Sequence, residues 1–264
     1  MTNFVWENTW KENKESFKTK KVALIPVGSN EQHGPALPTG TDWMIADYIA
    51  KKVGESSGSV MVTPVIPFGH ALYHNDFEGT LAVSQSTLIA YVTEICEQMI
   101  KYGCTHILFI NGHGGNNNAL YTVGQNLRHQ GIPVANIQWF EIACCLNKEW
   151  GLRGHGDITE TAFMLHIAPE TVKMDQAHLP VNKKLGNMQL MDLQSMNFEG
   201  ARVYINTRTS DVSDSGDLIE YGHSAGMDYS VSAVGATAKM GKEICDAVVG
   251  YICRFIEEFK DISF

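Results

Sequence analysis

Two kinds of apolar pattern alternate along this chain, short unbroken runs and longer stretches with helical spacing. Residues 22–27, VALIPV, form the first run, and its length and freedom from polar interruption predict a buried strand. Residues 43–53 follow with Met44, Tyr48 and Val53 on one side and Ile45 and Ile49 beside them, which predicts a helix stopped at Gly54. A second strand is expected over 60–66. Helical spacing returns over 84–102, where Leu88, Tyr91, Val92, Ile95 and Met99 share a face, Ser84 can cap the start and Gly103 can end it. A strand over 106–110, a helix over 117–128 and a strand over 134–140 complete a third repetition.

Strands and helices in this rhythm predict a mostly parallel sheet with helices on both faces. The loops that follow the first three strands, at Asn30, Phe68 and Asn111, then open on one edge, where open α/β sheets build their sites. Glu31, His33, Asp42, His74 and His113 lie in those loops or just past them. Beyond 140 the pattern thins. A loop, GLRGHGD, precedes a helix over 158–167, and a final helix over 235–259 carries Ile244, Val248, Ile252 and Phe255 on one face. Residues 170–232 read as irregular, with a weak strand at 203–205, and a segment of that length points to functional or oligomeric work. No linker or change of composition divides the chain, so one domain over 1–264 is expected.

Charge and cysteine usage narrow the partners. A formal net charge of −9 argues against nucleic acid and anionic membranes. The six cysteines form no CxxC pair and read as reduced thiols of a cytoplasmic protein. The polar N-terminal stretch does not read as a signal peptide, and no apolar run approaches the roughly 20 residues of a membrane span.

Candidate chemistry gathers in three segments. Glu31-x-His33 with Asp42 offers two carboxylates and an imidazole, a donor set that suits Zn, Mn or Fe better than Mg or Ca. The alternative is a turn whose polar groups satisfy loose backbone, with Asp42 capping the next helix. In NGHGGN, residues 111–116, Gly112 and Gly114 flank His113 and would let the backbone approach something closely. In HGDITE, residues 155–160, Asp157-x-x-Glu160 matches a helix capping box, yet a Glu on a first helical turn can equally point into a site. Spacing leaves both readings open.

The segments PVGSNEQHGPALPTGTD, HNDFEGT, INGHGGN and HGDITET, with a fainter GATAKMG at 235–241, together resemble the creatininase (creatinine amidohydrolase) family. The resemblance implies a three-layer α/β/α sandwich, a divalent metal centre that is often dinuclear, and hydrolysis of a cyclic amide or related bond. It implies Glu31, Asp42 and His113 as ligands of one metal, and His33 with a bridging Asp42 as ligands of a second. Creatininase takes a further carboxylate from the position that is Gly115 here, and Glu160 looks like its replacement. His155 matches a histidine that assists proton transfer. A homo-oligomer, commonly a hexamer, is implied as well, with 170–232 the expected source of subunit contacts. Gly154 stands where creatininase has a Glu, and Phe-Glu-Gly-Thr replaces Phe-Pro-Gly-Thr, so a small-molecule substrate other than creatinine is expected.

A metal-activated hydroxide attacking a carbonyl needs no Ser or Cys nucleophile, and the Gly-x-Ser-x-Gly elbow is absent. The leading expectation is therefore hydrolysis of a small cyclic amide, or of an amide on a nucleotide-derived or sugar-like molecule. Opening of a keto-cyclitol or keto-sugar ring is the runner-up. A metal-stabilised binding or assembly protein without catalysis is the reading from another class. His74, Phe77 and Trp139 are expected to line the substrate pocket.

Overall fold

The computed structural model describes residues 1–150, 154–220 and 233–264. A short helix α1 (Trp10–Ser16) precedes the sheet. Its start is a capping box, in which the Thr9 hydroxyl accepts from Glu12 N and Glu12 accepts from Thr9 N, a signal the apolar pattern does not carry. Then come β1 (Val22–Val27), α2 (Thr41–Ser56), β2 (Val60–Val62), α3 (Gln85–Tyr102), β3 (His106–Asn111), α4 (Asn117–His129) and β4 (Val134–Gln138). The four strands are parallel in the order β2-β1-β3-β4. Strand β2 is shorter than expected because Pro64 follows it, and only Ile66 rejoins the sheet, opposite Val27.

The unbroken apolar runs follow from burial on both faces. Val22, Leu24, Leu108 and Ile110 face a core with α2 and the helices of the second half, while Ala23, Ile25, Val27, Ile107 and Phe109 face a core with α3 and α4. This is the three-layer α/β/α arrangement with the sheet in the middle. Helix α3 has the expected ends: Ser84 caps Thr87 N, and Gly103 turns left-handed at φ 119°.

Past β4 the structure corrects the sequence reading. The expected strand over 134–140 stops at Gln138, and α5 (Trp139–Leu146) begins at once. The Trp139 ring turns into the core against Phe140 and Phe163, which ends the strand. After β5 (Gly154–His155) and α6 (Ile158–Ile167), the stretch expected to be irregular holds an antiparallel ribbon of β6 (Gln189–Asp192), β7 (Ser195–Phe198) and β8 (Ala201–Tyr204). A short helix α7 (Thr209–Val212) follows, then β9 (Leu218–Ile219), which pairs antiparallel with β5. The hairpin between β7 and β8 turns at Glu199 and Gly200, both with positive φ, as two-residue hairpins require. The expected features at 151–153 and 221–232 lie outside the described residues.

Helix α8 (Ala238–Phe259) closes the chain, capped by Thr237. It lies so close to α6 that a Cβ on Gly241 would overlap the Ala162 carbonyl oxygen. Among the described residues no helix is long and apolar enough to cross a membrane.

Replacing Gly241 with Ala is expected to lower stability by about 1–3 kcal/mol, because helix backbones must part to admit the methyl group. Gly250→Ala in the same helix meets only Arg254 Nη1 at 3.5 Å and should be neutral or stabilising, by up to about 1 kcal/mol. Urea unfolding of the two variants checks this, and equal midpoints would contradict the close packing.

Candidate metal centre

The carboxyl ends of β1, β2 and β3 supply the expected cluster. Glu31 and His33 leave β1, Asp42 opens α2, His74 follows β2, and His113 sits two residues past the end of β3. Helix α6 adds Glu160 from its first turn, and β5 adds His155. Glu31 is fully buried, and His33, Asp42, His74, His113 and Glu160 are nearly so. His33 Nε2 lies 3.0 Å from Asp42 Oδ1 and 3.8 Å from Glu160 Oε1. His113 Nδ1 lies 3.1 Å from Glu31 Oε1 and 3.2 Å from Asp42 Oδ2.

Each imidazole is aimed by a bond on its far side. His33 Nδ1–H donates to the Glu31 carbonyl at 3.0 Å, which leaves Nε2 facing the carboxylates. His113 Nε2 is 3.1 Å from both the His70 carbonyl and the Tyr73 hydroxyl, which leaves Nδ1 facing inward. Such outer partners fix ring orientation and tautomer in metal sites. His74 lies behind Glu31: its Nδ1 accepts from Gln32 Nε2 at 2.8 Å and sits 2.7 Å from Thr209 Oγ1, while Nε2 is 3.3 Å from Glu31 Oε1. His155 donates from Nε2 to the Gln32 carbonyl, so its bare Nδ1 faces Glu31 Oε1 at 3.9 Å. Its ring stacks on that of His74 at 4.4 Å and lies 4.2 Å from that of His33, tilted by 34°.

The donor atoms fit divalent cations. Both oxygens of Glu31 and Oδ2 of Asp42 are buried without a hydrogen bond, a costly state for ionised carboxylates that a cation relieves. Ligand atoms of Glu31, Asp42 and His113 lie within 4.8 Å of one another, as do those of His33, Asp42 and Glu160. Asp42 belongs to both sets. A third grouping, Glu31, His33 and His155, meets the same criterion.

Protons stand in for cations when none is bound. Burial pulls the His33 imidazole down, but Asp42 and Glu160 overcome it and hold the group up at about 10. Burial likewise opposes a charge on His113, and Glu31 with Asp42 holds it well above the usual imidazole range. Asp42 stays below the usual carboxyl range because His33 and His113 outweigh the burial that would raise it. Burial pushes Glu160 up to about 8, with Asp157 and Asp42 adding to the push against His33. His155 and His74 are held well below the usual range by burial and by neighbouring imidazoles, so both are neutral.

Glu160 meets the capping-box reading only in part: Asp157 caps α6, but Glu160 bonds Gly156 N rather than Asp157 N, so the box is not closed. Asp157 caps α6 by accepting from Thr159 N at 2.8 Å and Glu160 N at 3.0 Å. Glu160 Oε2 accepts from Gly156 N at 2.8 Å, while Oε1 faces His33. The glycine reading needs adjustment. Gly112 is pressed against the Asp42 carbonyl and Gly114 faces open space, so the second constrained position is Gly115. A Cβ there would overlap His113 Nε2 and the two groups that hold it, the His70 carbonyl and the Tyr73 hydroxyl.

Two expected pocket residues do not reach the cavity. Trp139 is fully buried in the hydrophobic core, and Phe77 is half-buried in the loop after β2 and outside the lining. His74 does line it. The sequence reading passed over Tyr73, Gln138, Glu141, Asp192, Arg202 and Glu220, which line it too. Only β4 ending at Gln138 could have flagged any of them. Burial, with Asp192 and Asp157 adding to it, pushes the Glu220 carboxyl up to about 8.

Two outcomes follow from this geometry. Ligation needs the lone pairs of His33, His113 and Glu160, so metal binding must release protons. Affinity should therefore rise most steeply with pH below about 8, where Glu160, His33 and His113 all hold protons, and less steeply above it once Glu160 has ionised, with each proton still released giving up to about tenfold per pH unit. Calorimetry in buffers of different ionisation enthalpy reads the proton count, and pH-independent affinity would contradict it. Gly115→Ala, which disturbs the bonds behind His113, should weaken metal binding about 10–100-fold in equilibrium dialysis.

A family model described as "Creatininase: Creatinine amidohydrolase" matches residues 6–256. The chain is 35% identical over 160 residues to the "Mycofactocin precursor peptide peptidase" of Mycolicibacterium smegmatis, covering 59% of this chain and 61% of that protein. The chain thus spans about three fifths of the length of that relative. It is 27% identical over 197 residues to the "Creatinine amidohydrolase" of Pseudomonas putida, covering 66% and 75%. It is 26% identical over 178 residues to the "3-dehydro-scyllo-inosose hydrolase" of Thermotoga maritima, covering 64% and 57%. The solved structure described as "Creatininase Mn" shares the fold at a TM-score of 0.74 and 24% identity, over 98% of this chain and 99% of that one. Another, a mutant creatininase of "Zn-Zn type", does so at 0.73 and 24%, over 98% and 99%. The family match over nearly the whole chain, on top of the shared fold, shows that this chain belongs to the creatininase family and is a member distinct from creatininase itself.

Proposed function

We propose that this chain is a metal-dependent hydrolase that adds water across the C–N bond of a small amide. The observation that carries the reading is the set of buried oxygens of Glu31 and Asp42 that lack hydrogen bonds, with nitrogens of His33 and His113 turned towards these carboxylates and Glu31, Asp42 and His113 lining one cavity. Glu31, Asp42 and His113 would hold one divalent ion, and His33, Asp42 and Glu160 a second, with Zn or Mn the first candidates. When bound, these ions supply a water of lowered pKa, near 7, and polarise the carbonyl.

The chain's own groups do the rest. His155 is neutral, and its bare Nδ1 faces the cluster while Nε2–H is fixed on the Gln32 carbonyl. It can take a proton at Nδ1 and pass it to the leaving nitrogen, which departs as an amine while the carbonyl carbon keeps the water's oxygen. The adjoining rings of His33 and His74 keep His155 from turning away. Ring opening of a keto-cyclitol, with carbon in place of nitrogen as the leaving atom, is the second reading, supported by the likeness to the Thermotoga maritima hydrolase.

Substitutions at Glu160 and His155 test the assignment. Glu160→Gln keeps an oxygen for Gly156 N, so stability of the metal-free protein should barely change. Metal content should fall towards one ion per chain, and turnover of a small-amide panel should collapse. His155→Ala should retain the full metal content and slow turnover about 10²–10⁴-fold. Elemental analysis alongside kinetics separates the two, and normal metal and turnover in Glu160→Gln would remove the second site.

A further inference from the structure

Four imidazoles crowd the carboxylate cluster, and the group behind each ring decides what the ring can offer in front. A backbone carbonyl can only accept, so a ring nitrogen bonded to one carries the hydrogen and leaves the other nitrogen bare. That holds for His33 on the Glu31 carbonyl, His113 on the His70 carbonyl and His155 on the Gln32 carbonyl. It is the usual backing of a metal-ligating histidine. His74 is built the other way. Gln32 Oε1 accepts from Gly34 N at 2.9 Å and Gln32 Nε2 donates to the Gly216 carbonyl at 3.0 Å, which fixes the amide so that Nε2 also donates to His74 Nδ1. His74 therefore carries its hydrogen on Nε2, towards Glu31, and has no lone pair to give there. By this criterion His155 belongs with the ligands, although the hydrolase reading uses it only to carry a proton.

Its partners are in place. One donor atom each from Glu31, His33 and His155 lie within 4.8 Å of one another, as close a grouping as the other two sets achieve. This third set borrows Glu31 from the set with Asp42 and His113, and His33 from the set with Asp42 and Glu160. It therefore competes with both. Its chemistry also differs, with two imidazoles and one carboxylate where each of the others has one imidazole and two carboxylates. Imidazole suits Zn, Fe and Ni, whereas carboxylates suit Mn and Mg, so the third set is the softest of the three.

We propose that His155 is itself a metal ligand: the first Zn-like ion to enter is held by Glu31, His33 and His155, and His155 is released when a second ion draws Glu31 and His33 into the other two sets. The residue is then a ligand in the half-loaded chain and a proton carrier in the fully loaded one. Its ligand role rests on the third set alone, and only the released role rests on the hydrolase reading. A chain with one Zn thus lacks its proton carrier as well as its second ion. A chain with one Mn keeps His155 free, because that ion favours the carboxylate-rich sets.

Proton NMR of the metal-stripped full chain, titrated with Co(II) as a paramagnetic stand-in for Zn, tests this without turnover. The N–H of an imidazole bound to Co(II) gives an exchangeable resonance far outside the normal range. One equivalent should produce two such resonances, from His33 and His155, and His155→Ala should lose one of them. At two equivalents the pair should come from His33 and His113 instead. In a competition titration, His155→Ala should weaken the first Zn at least about tenfold and leave Mn affinity within about twofold. His155→Phe, which keeps a ring beside His33 and His74, replaces the alanine variant should that one misfold, and the wild-type spectrum needs no variant. First-ion Zn affinity unchanged by the substitution, a one-equivalent spectrum without the His155 resonance, or that resonance persisting at two equivalents would each overturn the proposal. A single ion bound through His155 in a chain that takes no second ion and turns over no amide would support the ligand role and remove the hydrolase reading. Two ions and amide turnover with His155 never bound would do the reverse.

Discussion

Two buried carboxylates, Glu31 and Asp42, set the terms for the rest of this molecule. They are 0% and 2% exposed, and three of their four oxygens lack a hydrogen bond among the described residues. Burying an ionised carboxylate costs several kcal/mol unless a counter-charge sits beside it. His33 and His113 answer that demand as cations, and neutral His74 adds a nitrogen beside Glu31, each within 3.0–3.3 Å of an oxygen. Those imidazoles then need fixing in turn, and the Glu31 carbonyl, Gln32, Thr209 and the His70 carbonyl supply it. The site is thus a set of nested shells in which each layer exists to hold the one inside it.

The sheet makes such a cluster possible by fixing where its members start. Strands β1 and β3 are neighbours in register, with Val27 opposite Asn111 at their carboxyl ends. Glu31 follows four residues after the first and His113 two residues after the second, so the ligands meet without a long loop. Both strands are buried on both faces, and this rigidity carries to the loops. Gly112 continues the logic, since a side chain there would push β3 away from the Asp42 carbonyl at the start of α2.

Sequence reasoning reaches this part of the molecule because each signal is local. Runs buried on both faces, a capping serine at 84 and a glycine at 103 are decided by residues within one turn or strand. Four spaced motifs then mark the candidate ligands. The same reasoning fails where the deciding contact is remote. Trp139 continues an apolar run and reads as strand or pocket, but it packs against Phe163, two dozen residues on, and that contact turns the chain into α5. The ribbon β6–β8 has four-residue strands, and all four residues of β8 are exposed, so no alternation of core and surface marks it. Arg202 and Asp192 reach the cavity from that ribbon, and their part in it was therefore invisible.

Glu160 and Gly115 bear on where a carboxylate for this cluster can come from. A carboxylate at 115 is barred here, because His113 is held by groups that occupy the very space its Cβ would need. The carboxylate from α6 costs little to recruit. The first turn of a helix favours negative charge and has loose N–H groups nearby, and Asp157 already satisfies those of Thr159 and Glu160. That frees the Glu160 side chain to hold Gly156 N with one oxygen and turn the other to His33. The capping geometry is thus what positions the residue for the cluster. Opening Gly115 to a side chain would bring a carboxylate to the second site only by loosening His113 from the first. The arrangement is self-consistent because Glu160 is held by Gly156 N while His113 is held by the His70 carbonyl and the Tyr73 hydroxyl, so the two are fixed by different groups.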